Sequence, residues 1–214
     1  MQEKYKKIFF HLVWLFIIGA IFGFIFETIW HFIKNGVYIN KQGLWYGPLK
    51  PIYGCGVLLI TLFLYKLKDK NPVWLFLGGF IIGTLFEYFA SYFQEYVFGT
   101  YTWTYSGFNL NLNGRIYLPY CAAWGAISFV WIKYAWPLYL KLFNKLYSKR
   151  FVILSSIIAI FLVYDIALTT VITIRYSDRA NNIEPQNSLI EYIDQKYPND
   201  LIQEKFPKLR IITK

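Results

Sequence analysis

The stretch Gly19-Ala20-Ile21-Phe22-Gly23-Phe24-Ile25-Phe26-Glu27-Thr28-Ile29-Trp30-His31 carries Gly, Gly, Glu and His at four-residue steps inside an apolar block. Four residues is just over one helical turn, so these positions share one helix face. Glycines on such a face let a second helix approach closely in lipid. A carboxylate on the same face must point into protein or water, because charge facing hydrocarbon is costly. Sixty positions on, Gly79, Gly83, Glu87 and Ser91 repeat the stripe. The pattern predicts an all-α membrane bundle with a duplicated, carboxylate-bearing core.

Composition agrees with a membrane solvent. Of 214 residues, 57% are hydrophobic, 22% aromatic and only 16% charged, and the mean hydropathy is +0.36. A span needs about 20 mostly apolar residues. Five blocks qualify or come close: Ile8–Ile33, Pro51–Tyr65, Val73–Tyr96, Pro119–Leu140 and Phe151–Ile174. The second is short, which fits a steep or re-entrant segment. The first block is too long for a cleavable signal peptide and lacks a small-residue cleavage site after it.

The net charge of +10 is distributed by topology, which argues against a nucleic-acid footprint. Lys4, Lys6 and Lys7 precede the first block. Lys66, Lys68 and Lys70 follow the second, and Lys141, Lys145, Lys149 and Arg150 follow the fourth. The two alternate loops are longer yet hold only Lys34, Lys41, Lys50 and Arg115. The positive-inside rule then places the N-terminus in the cytoplasm, and five crossings place the tail from Arg175 outside.

The duplication extends past the stripes. Glu27 is followed by Asn35-Gly36-Val37-Tyr38 and then Gly47-Pro48-Leu49-Lys50-Pro51-Ile52-Tyr53-Gly54. Glu87 is followed by Phe98-Gly99-Thr100-Tyr101 and then Gly114-Arg115-Ile116-Tyr117-Leu118-Pro119-Tyr120. Each half reads as helix, irregular outer loop, Gly/Pro turn, helix. Two spans per half give a parallel repeat about an axis along the membrane normal. The divisions are a membrane domain over residues 1–174 (repeats 8–66 and 73–140, fifth helix 151–174) and an amphipathic tail over 175–214. In the tail, Ser188-Leu189-Ile190-Glu191 reads as a capping box, and Asn199 or Asp200 can cap a second short helix before Pro207. A disordered tail is the alternative. The aromatic loops, with Trp45, Tyr46, Trp103 and Tyr105, form either an interfacial belt or a fold-back lining of a polar cavity.

Three carboxylates lie inside the blocks: Glu27, Glu87 and Asp165. Intramembrane ionisable groups mark ion pathways, proton relays or buried pairs. Arg115, at the mouth of the fourth block, is a candidate partner through bidentate pairing. Glu27, Glu87, Arg115 and Asp165 form the expected polar centre, with Asn113, Tyr53 and Tyr120 nearby. They either pin the loops structurally or bind a small solute or cation. Cys55 and Cys121 sit after matching Pro-Tyr strings and read as packing residues. Ser155-Ser156 and Thr169-Thr170 are expected to bond their own helix or a neighbour. No metal-ligand spacing, cofactor fingerprint or catalytic elbow stands out, so no catalytic residue, metal or cofactor is assigned.

The strings Asn40-Lys41-Gln42-Gly43-Leu44, Gly47-Pro48, Pro51-Ile52-Tyr53-Gly54, Tyr105-Ser106 and Phe108-Asn109-Leu110-Asn111-Leu112-Asn113-Gly114-Arg115-Ile116 resemble the bacterial family named putative ABC-transporter type IV permease, CmpB-like. The resemblance covers roughly residues 8–140, and Asp165 fits it too. Lys41 stands where the family often has Arg, and Thr104 where it often has an acidic residue. The family implies a permease in a bacterial inner membrane that works with an ATPase subunit or another membrane protein. The inner connections Lys66–Pro72 and Lys141–Arg150 leave room for only a small coupling element. The alternative is a scaffold or sensor that binds a partner through its outer loops and tail.

Overall fold

The computed structural model describes residues 2–212. The chain is mostly helical, with little sheet. Helix α1 runs Gln2–Asn35. A coil leads to α2, Pro51–Leu64, whose Pro51 occupies the first helical turn, where a missing N–H costs nothing. A 3-10 turn, Tyr65–Leu67, ends that arm. Helix α3 runs Pro72–Phe98; the Asn71 side chain accepts from the Val73 N–H, and Gly99 stops the helix in the left-handed region, as a helix-terminating glycine commonly does.

The second loop contains two small antiparallel pairings rather than coil throughout. Strand β2 (Asn111–Leu112) pairs with β3 (Ile116–Tyr117). Strand β1 (Thr100–Tyr101) pairs with β4 (Arg210–Ile211). Helix α4, Leu118–Val130, passes through a π-helical turn, Trp131–Ala135, into α5, Trp136–Leu146. Helix α6 runs Lys149–Ala180, capped by Ser148. It continues past Ile174, where the apolar block ends. Helix α7 (Ser188–Lys196) and α8 (Asn199–Lys205) complete the chain. The cap of α7 is Asn187, whose Oδ1 accepts from the Ile190 N–H, so the expected capping box is shifted by one residue. Asn199 is the first residue of α8 and instead accepts from Arg179 through its side chain.

Helices α1, α3 and α6 are long and apolar enough to cross a membrane, and Pro51–Leu67 forms a shorter apolar arm. Helix α1 packs on α2, α3 on α4, and α2 on α3, while α6 lies against α1 and α3. Exposed apolar rows such as Ile81, Leu85 and Phe89 on α3 and Ile157, Ile160 and Val163 on α6 suit a lipid solvent rather than water.

The glycine stripes are contact seams. A Cβ on Gly23 would stand 2.2 Å from Tyr53 Cγ, and one on Gly83 would stand 2.3 Å from Trp124 Cγ. The approach is reciprocal: a Cβ on Gly54 would meet the Phe16 carbonyl at 2.7 Å, and one on Gly125 the Phe76 carbonyl at 2.8 Å. Any side chain at these positions would push the helices apart. The same contact thus recurs in the α1–α2 and α3–α4 pairs, with Trp124 and Gly125 in the places of Tyr53 and Gly54. The Pro-Tyr strings that look equivalent in sequence are out of step: Tyr120 lies one turn before the residue that matches Tyr53.

Two buried clusters anchor opposite regions. Ile60, Leu64, Leu75 and Ile132 pack together with Trp124, Phe129 and Trp131 around them. The second cluster contains Trp45, Ile172, Tyr176, Tyr197, Ile202, Phe206 and Leu209. It joins the first loop, the end of α6 and the tail helices, so the tail is folded onto the bundle.

Candidate functional site

Glu87 lies on the α3 seam and is only 6% exposed. Its Oε1 accepts from the Tyr105 hydroxyl at 2.8 Å, and its Oε2 from Trp124 Nε1 at 2.9 Å. Both donors are neutral. Among the described residues no cationic side chain stands within ion-pairing distance of it. Trp124 reaches Glu87 because Gly83 leaves room for its side chain against α3. Tyr105 reaches it because the second loop folds back over the helix end; its backbone N–H donates to the Gly114 carbonyl at 2.7 Å. Burial and the neighbouring Glu87 carboxylate push the Tyr105 hydroxyl far above the ordinary tyrosine range. It therefore stays protonated, as a hydrogen-bond donor.

Glu27 holds the same step of the α1 stripe and has a different partner. Its Oε2 accepts from Lys50 Nζ in an ion pair. Lys50 is placed by its own backbone, whose N–H donates to the Ala20 carbonyl at 3.1 Å. Lys41 is half-buried nearby; burial holds its ammonium below the usual lysine range, with the Glu27 charge opposing. The Tyr53 and Trp124 rings are 6.0 Å apart. Tyr53 covers Gly23 and Trp124 covers Gly83, so the two seams meet at this ring pair.

The remaining expected residues form separate groups. Arg115 pairs with Glu95, and its guanidinium lies 5.7 Å over the Tyr88 ring and 5.5 Å over Tyr92. Asn113, at φ +53°, donates to the Tyr88 hydroxyl at 3.1 Å. Tyr120 packs tilted against Tyr105 and edge-on to Tyr117, with ring centroids 5.4 and 5.5 Å away. Asp165 is fully buried on α6. Its oxygens accept from the Tyr46 backbone N–H at 3.1 and 3.3 Å, and from the Thr169 hydroxyl at 3.3 Å. Thr169 Oγ1 in turn accepts from the Trp45 N–H at 2.8 Å. This threonine serves the first loop rather than its own helix backbone. The polar positions thus fall into a Glu27–Lys50 pair, a Glu87–Tyr105–Trp124 group, an Arg115–Glu95 pair and an Asp165–Thr169 loop anchor.

Sequence reasoning left out Glu95, Tyr105 and Trp124 as site residues. Glu95 carries a findable signal: it lies two further four-residue steps along the Glu87 face. Trp124 could be found only by knowing which residue covers Gly83. Among the described residues, no three His, Cys, Asp or Glu side chains converge as a metal site would require. The two seam carboxylates accept hydrogen bonds, Glu27 holds the Lys50 charge, and the donors on Glu87 fix its orientation.

No curated protein and no solved structure matches the chain. Residues 14–170, well over half of its length, match the family described as Putative ABC-transporter type IV. The match spans both helix pairs, both loops and Asp165, and the chain belongs to that family.

Proposed function

We propose that the chain is a transport-type component of a bacterial cell membrane, permease-like, with a polar site between two related helical hairpins near their loop ends. In this reading five segments cross the bilayer as a parallel repeat. The lysine-rich end faces the cytoplasm, where an ATPase subunit would dock, and the loops and tail face outward. The supporting observation is the recurrence of one glycine–aromatic seam in two helix pairs. It puts Glu27 and Glu87 at the same step of each stripe, with the rings that cover Gly23 and Gly83, Tyr53 and Trp124, 6.0 Å apart. A buried carboxylate with only neutral donors is suited to meet a small solute or cation. Lys50 already fills that role at Glu27.

The test is complementation of a deletion strain with wild-type, Glu27→Gln and Glu87→Gln genes, while small solutes disappearing from the medium are followed by mass spectrometry. The expected result is a solute whose uptake needs the wild-type gene and is lost in Glu87→Gln at unchanged protein abundance. Unchanged uptake in both variants would remove the glutamates from transport.

A scaffold or sensor is the second reading. It is favoured by the hydrogen bonds that Glu27, Glu87 and Asp165 each accept from within the protein and by the folded cap in which Trp45 packs against Tyr197 and Phe206. Full function in the double glutamine variant, with loss of function on removing residues 181–214, would select it.

A further inference from the structure

Lys41 is a partly desolvated cation with no anion of its own. It sits at the tip of a turn in which the Gln42 N–H donates to Asn40 Oδ1 at 3.1 Å and Asn40 Nδ2 donates to Gln42 Oε1 at 2.8 Å. Asparagine side chains close turns in this way. Gln42 Nε2 donates to the Leu44 carbonyl at 2.8 Å, and the Gly43 N–H to the Leu49 carbonyl at 2.7 Å. The turn is therefore fixed on its far side too, and Lys41 is half-buried on it. Glu27, the carboxylate whose charge acts on Lys41, is already held by Lys50. Among the described residues, Lys41 Nζ makes no hydrogen bond and no ion pair.

A second lysine lies beside it. Asn40 Nδ2 also donates to the Lys205 carbonyl at 3.4 Å, which brings the end of α8 onto the turn. Three residues on, Lys208 is exposed, in a bend closed by the Leu209 N–H on the Phe206 carbonyl at 2.9 Å. Burial, with the Lys50 and Lys208 charges, holds the Lys41 ammonium below the usual lysine range, and Glu27 opposes them. We propose that Lys41 and Lys208 form a binding site for a single phosphate group at the loop end of the first helix pair.

An ammonium carries three donors and a full charge, and leaving it partly desolvated without an acceptor is costly. An oxyanion between the two lysines offsets both that cost and their mutual repulsion, through short charge-assisted bonds. A phosphate directs its oxygens apart in three dimensions, so it meets amines on two different elements. It can arrive free in water or as part of a phospholipid headgroup. Helix α1 exposes Ile29, Phe32 and Ile33 over its last turns, so headgroups reach this level in a membrane. The site takes nothing from Glu87, so it and the transport reading can fail separately.

The experiment measures acetylation of individual lysines in the full-length protein by acetic anhydride and peptide mass spectrometry. The references are Lys34 and Lys70, both exposed. In detergent, inorganic phosphate should slow Lys41 along a saturating curve, about threefold once it reaches twice the Kd. Chloride at equal ionic strength should not, and the references should stay level. Lys208→Gln, an exposed change, should shift the curve to higher phosphate. In nanodiscs free of inorganic phosphate, slower labelling of Lys41 in phosphatidylglycerol than in a neutral glycolipid would identify the headgroup as a source. Slowing in detergent alone would identify the free ion. Slowing by neither would overturn the proposal. So would equal slowing by chloride, equal slowing of Lys34, or an unchanged curve in Lys208→Gln.

Discussion

The two helix pairs share a seam but secure their loops in opposite ways. In the first pair, Glu27 is held by a lysine, and the loop from Gly36 to Lys50 forms no strand. That loop is held from outside: Asp165 and Thr169 of α6 bind its backbone at Tyr46 and Trp45, and the tail buries Trp45. In the second pair, Glu87 is held by neutral donors, and the loop carries its own hairpin, tied to α3 through Asn113, Arg115 and Tyr105. The first loop depends on α6 and the residues after it. The second is tied to the tail only at its start, where Thr100–Tyr101 pairs with Arg210–Ile211, and over residues 105–117 is secured within its own repeat. One architecture therefore supports one seam carboxylate, Glu27, that is ion-paired and another, Glu87, that has only neutral donors.

The shared part of the comparison breaks at the seams. Gly23→Val and Gly83→Val would each drive a Cβ to within 2.3 Å of an aromatic ring. Overpacking of this kind costs about 3 kcal/mol or more, and both variants should lower the melting temperature of the purified protein by a similar amount. Gly107→Ala, where a Cβ meets nothing within 4 Å, is the control and should leave it unchanged. A large effect at only one seam would show that the two pairs are not held alike.

The unshared part is tested by removing one partner from each carboxylate. Trp124→Phe leaves an oxygen of Glu87 buried without its donor, which costs about 1–3 kcal/mol. Lys50→Met frees Glu27, whose side chain is 27% exposed and so keeps more access to water than Glu87; the cost should be the smaller of the two. Denaturation of both variants in the same detergent gives the order. The reverse order would place the more critical carboxylate in the first pair. Asp165→Ala likewise strips a buried acceptor from the Tyr46 N–H, at about 1–3 kcal/mol. By hydrogen exchange it should loosen residues 44–47 while leaving 105–117 protected.

Much of this contrast was legible in the chain. The four-residue stripes locate the seams because a helix repeats its face at that spacing. Charge inside apolar blocks picks out Glu27, Glu87 and Asp165 because lipid offers such groups no solvent. The partners were less legible. Arg115 is the right residue type for Glu87, but the choice of Glu95 depends on how far the hairpin reaches along α3. Matching Tyr53 to Tyr120 follows the proline strings, whereas packing follows the glycines and selects Trp124. The burial of Trp45 by Tyr197 and Phe206 joins positions about 150 residues apart, and no local pattern encodes such a meeting.

The smallest expected effect concerns the tail's hold on the first loop. Arg175 donates to Asp194 at 3.1 and 2.6 Å, and Arg179 adds a third bond at 2.6 Å. These bonds, the Arg175 hydrogen bond first, hold the Asp194 carboxyl below the ordinary aspartate range. A carboxyl depressed in the folded state stabilises fully above its unfolded value, about 3.9. That contribution is lost as pH falls through the depressed value. Trp45 fluorescence should therefore report a loosened cap only in strong acid, well below pH 4, with little change between pH 5 and 8. Asp194→Asn should remove this pH dependence and weaken the cap at neutral pH, raising hydrogen exchange at residues 44–47. Exchange at 105–117 should be unaffected, because the Tyr105, Asn113 and Arg115 contacts that hold that loop do not pass through Asp194. Equal loosening of both loops would mean that the tail supports the bundle as a whole, and the distinction between an externally held loop and a self-held one would fail.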